Sequence, residues 1–306
     1  MKNSVGAMAS VFVVCAAGLL SIHLLGEAGP SGPPETPNQA NMTTVALPPS
    51  DAPGPEPTEV VQPGPTTRPK QEKGSPTELG NAVNRAVRAG GSATGVGLLV
   101  LEVDGWRELA SVDPDRQFRS ASLVKLLIAV DALQSGASTA TDLRTMLSAS
   151  HDGIASELWV RLGGNTMVQR QARRMGLSRT LPPLDPMHWG DTKVSARDVA
   201  KMYRHILTEL PKAHRELIMS ALAAAPKIAA DRFDQHFGIP NGLPKVQWAV
   251  KQGWATGRAG TDLHTSGVLA EGTRVVVLLS THSPGTSYAR AAKSLNTGAG
   301  ALAGLF

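Results

Sequence analysis

The chain has 306 residues, 42% of them hydrophobic, and a formal net charge of +5 at pH 7. That is enough apolar material for one substantial core. The single cysteine excludes a disulfide framework, and no basic run interleaved with aromatic residues offers a nucleic-acid surface.

Residues 5–25, "VGAMASVFVVCAAGLLSIHLL", form a nearly uncharged apolar run that is long enough to span a bilayer. Lys2 is the only charge on its N-terminal side, which predicts the N-terminus inside and the rest outside. Two readings of residues 1–28 stay open. The length of the run favours an uncleaved membrane anchor; the small residues of Gly26-Glu27-Ala28 suit cleavage as a signal peptide. Either one exports the remainder. Cys15 lies inside this run, with Val13 and Val14 where a lipidation site would carry small residues. The exported part therefore holds no thiol for nucleophilic catalysis or zinc ligation.

Residues 29–74 read as an extended linker that spaces a folded body from the membrane. Thirteen of the 22 prolines fall in residues 29–76, with no aromatic residue among them. Lys2, Arg68, Lys70 and Lys73 against Glu27, Glu35, Asp51, Glu56, Glu59 and Glu72 leave the first 75 residues at −2, so the body carries +7. A basic exported body suits an anionic polymer such as a cell wall, or simply solubility.

The body, residues 75–306, opens at Ser75-Pro76-Thr77-Glu78, a capping box with proline at the first helical position. Leu79, Ala82, Val83, Ala86 and Val87 then share one helical face. "GVGLLVLEV" predicts a buried strand, and Asp104-Gly105 a hairpin returning through "WRELASV". Helical signals dominate from 120 to 225, over 121–134, 141–149, 153–162, 166–174, 195–209 and 212–224. "VQWAVKQGW", "TDLHTSGVLA" and "TRVVVLLSTHS" predict three further strands, and 285–304 a closing helix. A sheet interrupted by helices and flanked by helices at both ends is an α+β arrangement.

Within "QFRSASLVKLL", Ser122 and Lys125 lie three residues apart and share a helix face, whereas Ser120 fits a helix cap. A serine hydroxyl is a weak nucleophile, and a desolvated amine can accept its proton. Leu123, Val124, Leu126 and Leu127 supply that desolvation. Composition alone produces about one S-x-x-K in a chain of this length. The motif gains weight from company in a fixed order: Ser150-His151-Asp152 between two helices, then Lys251-Gln252-Gly253 on a strand.

With these three stretches, residues 75–306 resemble the serine β-lactamase and penicillin-binding protein superfamily, nearest to class A-like serine hydrolases. Only the first motif matches to the letter. The resemblance implies a β-lactamase/transpeptidase-like fold, an antiparallel sheet flanked by helices. The short interval from Ser122 to Ser150 implies a reduced helical subdomain and a more open cleft. The resemblance makes Ser122 the acylated nucleophile, Lys125 its proton acceptor, and Ser150 the proton shuttle to the leaving group. Lys251 would direct positive charge toward a substrate carboxylate, with Gln252 and Gly253 beside it. The backbone amides of Ser122 and Trp254 would form the oxyanion hole. Gln252 stands in place of a hydroxyl residue, with an amide able to donate to that carboxylate. Asp152 stands in place of an asparagine, either holding Lys125 in an ion pair or making it too basic.

On the loop that carries the deacylating glutamate of class A enzymes, "RTLPPLDPMHWGDT" aligns Leu181 with the glutamate and Asp185 with the following asparagine. Leucine is no base, so deacylation depends on whether Asp185 positions a water. The implied function is a monomeric exported serine acyl hydrolase acting on β-lactams or D-alanyl peptidoglycan peptides, slow at deacylation, with no cofactor. The alternative is a catalytically weak relative that binds cell-wall peptide or a partner protein through the same cleft. His264 reads as an exposed strand residue or a cleft residue, and His188 with Trp189 as ordinary surface or a lining of the loop mouth. No histidine pair has metal-ligand spacing, so no metal is expected. Gly298, Gly300 and Ala303 match dinucleotide-loop spacing, but leave no room for a βαβ unit.

Overall fold

The computed structural model describes residues 75–90 and 92–306. The apolar run at 5–25 and the linker at 29–74 lie outside them. Among the described residues, no helix is long and apolar enough to cross a membrane.

Helix α1 (Pro76–Gly90) starts where Ser75 Oγ accepts the Glu78 N–H at 3.3 Å. Strand β1 (Ala93–Glu102) turns at Asp104–Trp106, where Gly105 takes φ 71°, and returns as β2 (Glu108–Val112). The helical block follows: α2 (Lys125–Ser135), α3 (Ala140–Ser148), α4 (Asp152–Arg161), α5 (Asn165–Met175), α6 (Ala196–Thr208) and α7 (Lys212–Ala223). A single turn, α8 (Ile239–Gly242), then leads to β5 (Trp248–Gly257), β6 (Gly260–Leu269), β7 (Arg274–His282) and α9 (Tyr288–Gly300). Two short strands, β3 (Phe118–Arg119) and β4 (Lys193–Val194), pair with each other. Two residues carry no periodicity, so this pair escaped the sequence pattern.

The main sheet is antiparallel throughout, in the order β2-β1-β7-β6-β5. Its centre reads as continuous apolar runs because both faces are covered. Leu99, Val275, Val277 and Leu279 face the helical block; Leu98, Val100, Val276 and Leu278 face α1 and α9. Strand β5 ends the sheet and leaves one edge open toward the segment preceding α2. The α+β architecture is thus an antiparallel sheet between helical layers, with only α3 between α2 and Ser150.

The glycine-rich end of the chain has a packing role. Gly298 lets α9 lie close against α1, where an added Cβ would overlap the Val87 side chain. Ser294 Oγ donates to Val87 O across the same contact. Gly298→Ala is expected to lower unfolding stability by about 1–3 kcal/mol through overpacking, measured by urea denaturation. An unchanged midpoint would refute this account of the contact.

Candidate active site

Ser122 lies in a 3₁₀ turn, Ala121–Val124, that runs directly into α2. Ala121 has φ 45°, so the chain bends through the left-handed region just before the serine. Ser120 holds this bend: its N–H donates to Thr192 O at 2.7 Å, and its hydroxyl lies between Ala121 O at 3.1 Å and Gly190 O at 3.3 Å. Ser120 occupies the capping position but its side chain makes no capping bond. The expected side-chain cap is corrected, because the hydroxyl is turned toward the carbonyls of Ala121 and Gly190 instead.

Lys125, the first residue of α2, is wholly buried. Its Nζ lies 2.8 Å from Ser122 Oγ, 2.7 Å from Ser150 O, 3.2 Å from Ser150 Oγ and 2.6 Å from Asp152 Oδ1. Ser150, also buried, reaches it because φ 55° turns the backbone between α3 and α4 inward. An ammonium has three N–H groups for these four oxygens. The carbonyl and the carboxylate can only accept, whereas a hydroxyl can reverse roles. A neutral Lys125 therefore donates to Ser150 O and Asp152 and keeps its lone pair for the Ser122 proton. Burial pulls the Lys125 pKa below the ordinary lysine value, opposed by the charge and hydrogen bond of Asp152. The Trp189 ring lies 4.9 Å from the same Nζ.

Lys251 comes from β5 and is equally buried. Its Nζ donates to Ser150 Oγ at 2.9 Å and to Gln252 O at 3.1 Å, so one serine hydroxyl bridges the two lysines. Burial, then the neighbouring Lys125, holds its pKa well below the usual range. Behind it, Ser266 Oγ donates to Lys251 O at 2.8 Å and lies 3.0 Å from the buried Tyr203 hydroxyl. Burial raises the pKa of that hydroxyl, which keeps it in the neutral form.

Gly253 brings β5 against the bend, since a Cβ there would stand 3.0 Å from Ser120 O. Ala270 N–H donates to Gln247 O at 2.9 Å, and the ladder alternates from there. That alternation leaves the Trp254 N–H pointing off the open edge of β5. The cleft beside Ser122 encloses about 540 Å³ and includes Arg119, Asp152, Trp189, Asp191 and Trp254 in its walls.

Several residues sit elsewhere than the motifs imply. Gln252 is buried, and its amide donates to Gln235 O at 3.0 Å and Phe237 O at 2.6 Å. Both N–H groups anchor the 235–237 loop, so the expected donation to a substrate carboxylate does not follow. Asp185 is not part of the cleft wall: its oxygens accept from Met187 N–H at 2.9 Å and face His188 Nδ1 at 2.9 Å. These two bonds commit both carboxylate oxygens to the 185–188 turn. Leu181 bridges Lys193 through paired backbone bonds and is also outside the cleft wall.

His188 and Trp189 do line the cleft. His264 is neither exposed nor in the cleft. It is buried with Nε2 2.7 Å from Arg119 O, and its Nδ1 accepts the Ser280 N–H at 3.3 Å. Arg119, Asp191 and Asp231 escaped sequence reasoning because none belongs to a motif. Only folding joins Arg119 to Asp262 at 2.6 Å and Asp231 to the Trp254 indole at 2.9 Å.

A buried serine–lysine pair at a helix start, bridged by a second serine to a lysine on an edge strand, occurs here on a β-lactamase-like scaffold. The chain belongs to the β-lactamase enzyme family, whose model matches residues 132–303. It is 33% identical to the "Putative lipoprotein LppW" of Mycobacterium tuberculosis, over 68% of this chain and 69% of that protein. Among solved structures, a β-lactamase from Chitinophaga pinensis is similar with a TM-score of 0.61 at 13% identity, covering 75% of this chain and 99% of that one. The penicillin-binding protein PBP-A is similar with a TM-score of 0.61 at 19% identity, covering 75% and 96%. A leucine-to-glutamate mutant of PBP-A, solved as its acyl-enzyme with penicillin G, has a TM-score of 0.60 at 19% identity, with the same coverage.

Two expectations follow from the lysines. Asp152 raises the Lys125 pKa, so in Asp152→Asn the rise of Ser122 labelling rate with pH moves to lower pH. A fluorophosphonate labelling profile reads this, and a midpoint that stays or moves upward refutes it. Lys251, with its folded-state pKa depressed, binds a proton more readily when unfolded. Wild-type stability therefore rises with pH toward the unfolded lysine value and is lost as pH falls. Lys251→Met is expected to be more stable at pH 7 by roughly 0.5–2 kcal/mol, the gap narrowing at pH 9 in urea unfolding.

Proposed function

We propose that this protein is an exported, membrane-tethered serine acyl hydrolase that works through an acyl-enzyme on Ser122. The observation that carries this is the 2.8 Å contact between Ser122 Oγ and the buried Lys125 Nζ. Lys125 takes the hydroxyl proton as Ser122 attacks the acyl carbonyl. The outward N–H of Trp254 and the N–H of Ser122 receive the developing oxyanion. Ser150, hydrogen-bonded to both lysines, carries a proton to the leaving group. The family's substrates, β-lactams and D-alanyl peptides, define the acyl-transfer class.

Deacylation is the slow step. Neither Leu181 nor Asp185 stands at the cleft, and the carboxylates that line it are engaged. Asp152 lies on Lys125 at 2.6 Å, and Asp191 lies 3.7 Å from Arg119. The relatives named as lipoproteins and the apolar run at residues 5–25 support export and a membrane tether. With Val13 and Val14 preceding Cys15, we assign the tether to the run itself.

A second reading, a catalytically weak relative that binds wall peptide or a partner, is favoured by the Asp152 ion pair. That pair stabilises the charged form of Lys125. Mass spectrometry after exposure to a fluorophosphonate and to a labelled penicillin separates the two. The hydrolase reading expects a Ser122 adduct with both, at least 100-fold reduced in Ser122→Ala, with the penicilloyl form lasting for hours. Intact protein with both reagents sinks it, and rapid penicillin turnover sinks the account of slow deacylation.

A further inference from the structure

The cleft carries the opposite charge to the body that surrounds it. Outside residues 1–75 the chain is +7, yet the ionised groups around Ser122 are mostly acids. Asp152 and Asp191 line the cleft with side chains 60% and 50% exposed. Asp231 stands beyond Trp254, also exposed, with Oδ2 accepting the indole N–H at 2.9 Å and Oδ1 accepting Phe233 N–H at 3.0 Å. These two donors fix its carboxylate at that end, where its charge acts on both Lys125 and Lys251.

The cations do not balance these acids at the surface. Arg119 is the one arginine or lysine among the described residues that line the cleft. It already faces two carboxylates: its Nε is bonded at 2.6 Å to Asp262, which is nearly buried and also accepts from Thr281 Oγ1, and its Nη1 lies 3.7 Å from Asp191. Lys251 is buried, and a neutral amine there has two N–H groups, matched by Ser150 Oγ and Gln252 O. The Gln252 amide is likewise committed, to Gln235 O and Phe237 O. The two groups that the motifs would turn toward a substrate carboxylate, the Lys251 amine and the Gln252 amide, are thus committed elsewhere, and an aspartate is fixed next to Trp254.

We propose that this cleft takes acyl donors with no free carboxylate beside the scissile bond, that is, esters or amides that are neutral or amine-bearing there, and that Asp231 and Asp152 set this preference. The inference rests on acyl-enzyme formation at Ser122, and narrows its substrate within that chemistry. An anionic leaving side comes under the charge of Asp231 behind Trp254 and of Asp152 and Asp191 in the wall, with Arg119 already shared between two carboxylates, whereas a neutral one loses nothing and an ammonium gains a partner. Carboxylate-bearing compounds, β-lactams included, therefore acylate slowly. The reaction itself is unchanged: the Ser122 Oγ–carbonyl bond forms, the bond to the leaving atom breaks, and the Ser122 proton ends on the leaving group.

A matched pair of thioesters tests this on the folded protein. Both carry the same N-acetyl-D-alanyl group; one leaves as thioglycolate with a free carboxylate, the other as methyl thioglycolate. Thiol release and the acetyl-alanyl adduct on Ser122 are followed together. With each rate divided by that of the uncatalysed hydrolysis of the same thioester, the methyl ester is expected to acylate at least tenfold faster, and Asp231→Asn to reduce that ratio at least threefold. The ratio within each variant cancels any loss of folded protein. Equal rates, or a faster thioglycolate, overturn the proposal. If a fluorophosphonate labels Ser122 in the same preparation, the specificity inference fails alone. If neither thioester nor fluorophosphonate reacts at Ser122, the acyl-enzyme reading falls with it.

Discussion

Two lysine amines buried around one serine hydroxyl are the constraint on which the site depends. Lys125 and Lys251 both reach Ser150 Oγ, at 3.2 and 2.9 Å. Two ammonium groups this close, shielded from water, repel strongly, so at least one is driven toward the neutral amine. This is the state a proton acceptor for Ser122 requires. Asp152 opposes it from the exposed side.

The fold makes that burial available. Lys125 starts a helix that is sealed by the helical block, and Lys251 lies on an edge strand whose outer side faces the bend before α2. The approach needs Gly253, since a side chain there would press on Ser120 O and Leu123. It also needs the bend itself, in which Ala121 holds an unfavourable backbone angle while Thr192 and Gly190 bind Ser120. Strain of this kind persists only where the surrounding bonds over-determine it. The buried His264 adds one more tie, joining Arg119 O to the middle of the sheet.

Around this core the chain departs from its family where a substrate would be read. Gln252 faces a loop in place of the cleft, Leu181 and Asp185 lie off the cleft wall, and Asp152 replaces a neutral amide with a charge. Ser122, Lys125, Ser150 and Lys251 remain close together, while the positions that the resemblance assigns to carboxylate recognition and deacylation hold other residues. A scaffold shared with β-lactamases thus carries a cleft whose wall holds Asp152 and Asp191.

The sequence by itself determined the α+β order, the two-faced apolar strands, the hairpin at Gly105 and the set of Ser122, Lys125, Ser150 and Lys251. Those features are local or periodic: a helix offset, alternating or continuous apolar runs, a turn residue, and motifs in fixed order. Only the tertiary structure decided which way Gln252 points, that Ser120 binds the Trp189–Asp191 turn, and that His264 is buried. It alone placed Asp231 beside Trp254 and Asp262 beneath Arg119. Each of these depends on contacts between residues far apart in the chain, set by strand register and by which edge of the sheet is open. The lowered pKa of Lys125 belongs to the same group, because it follows from the burial of the amine, set against the charge of the neighbouring Asp152.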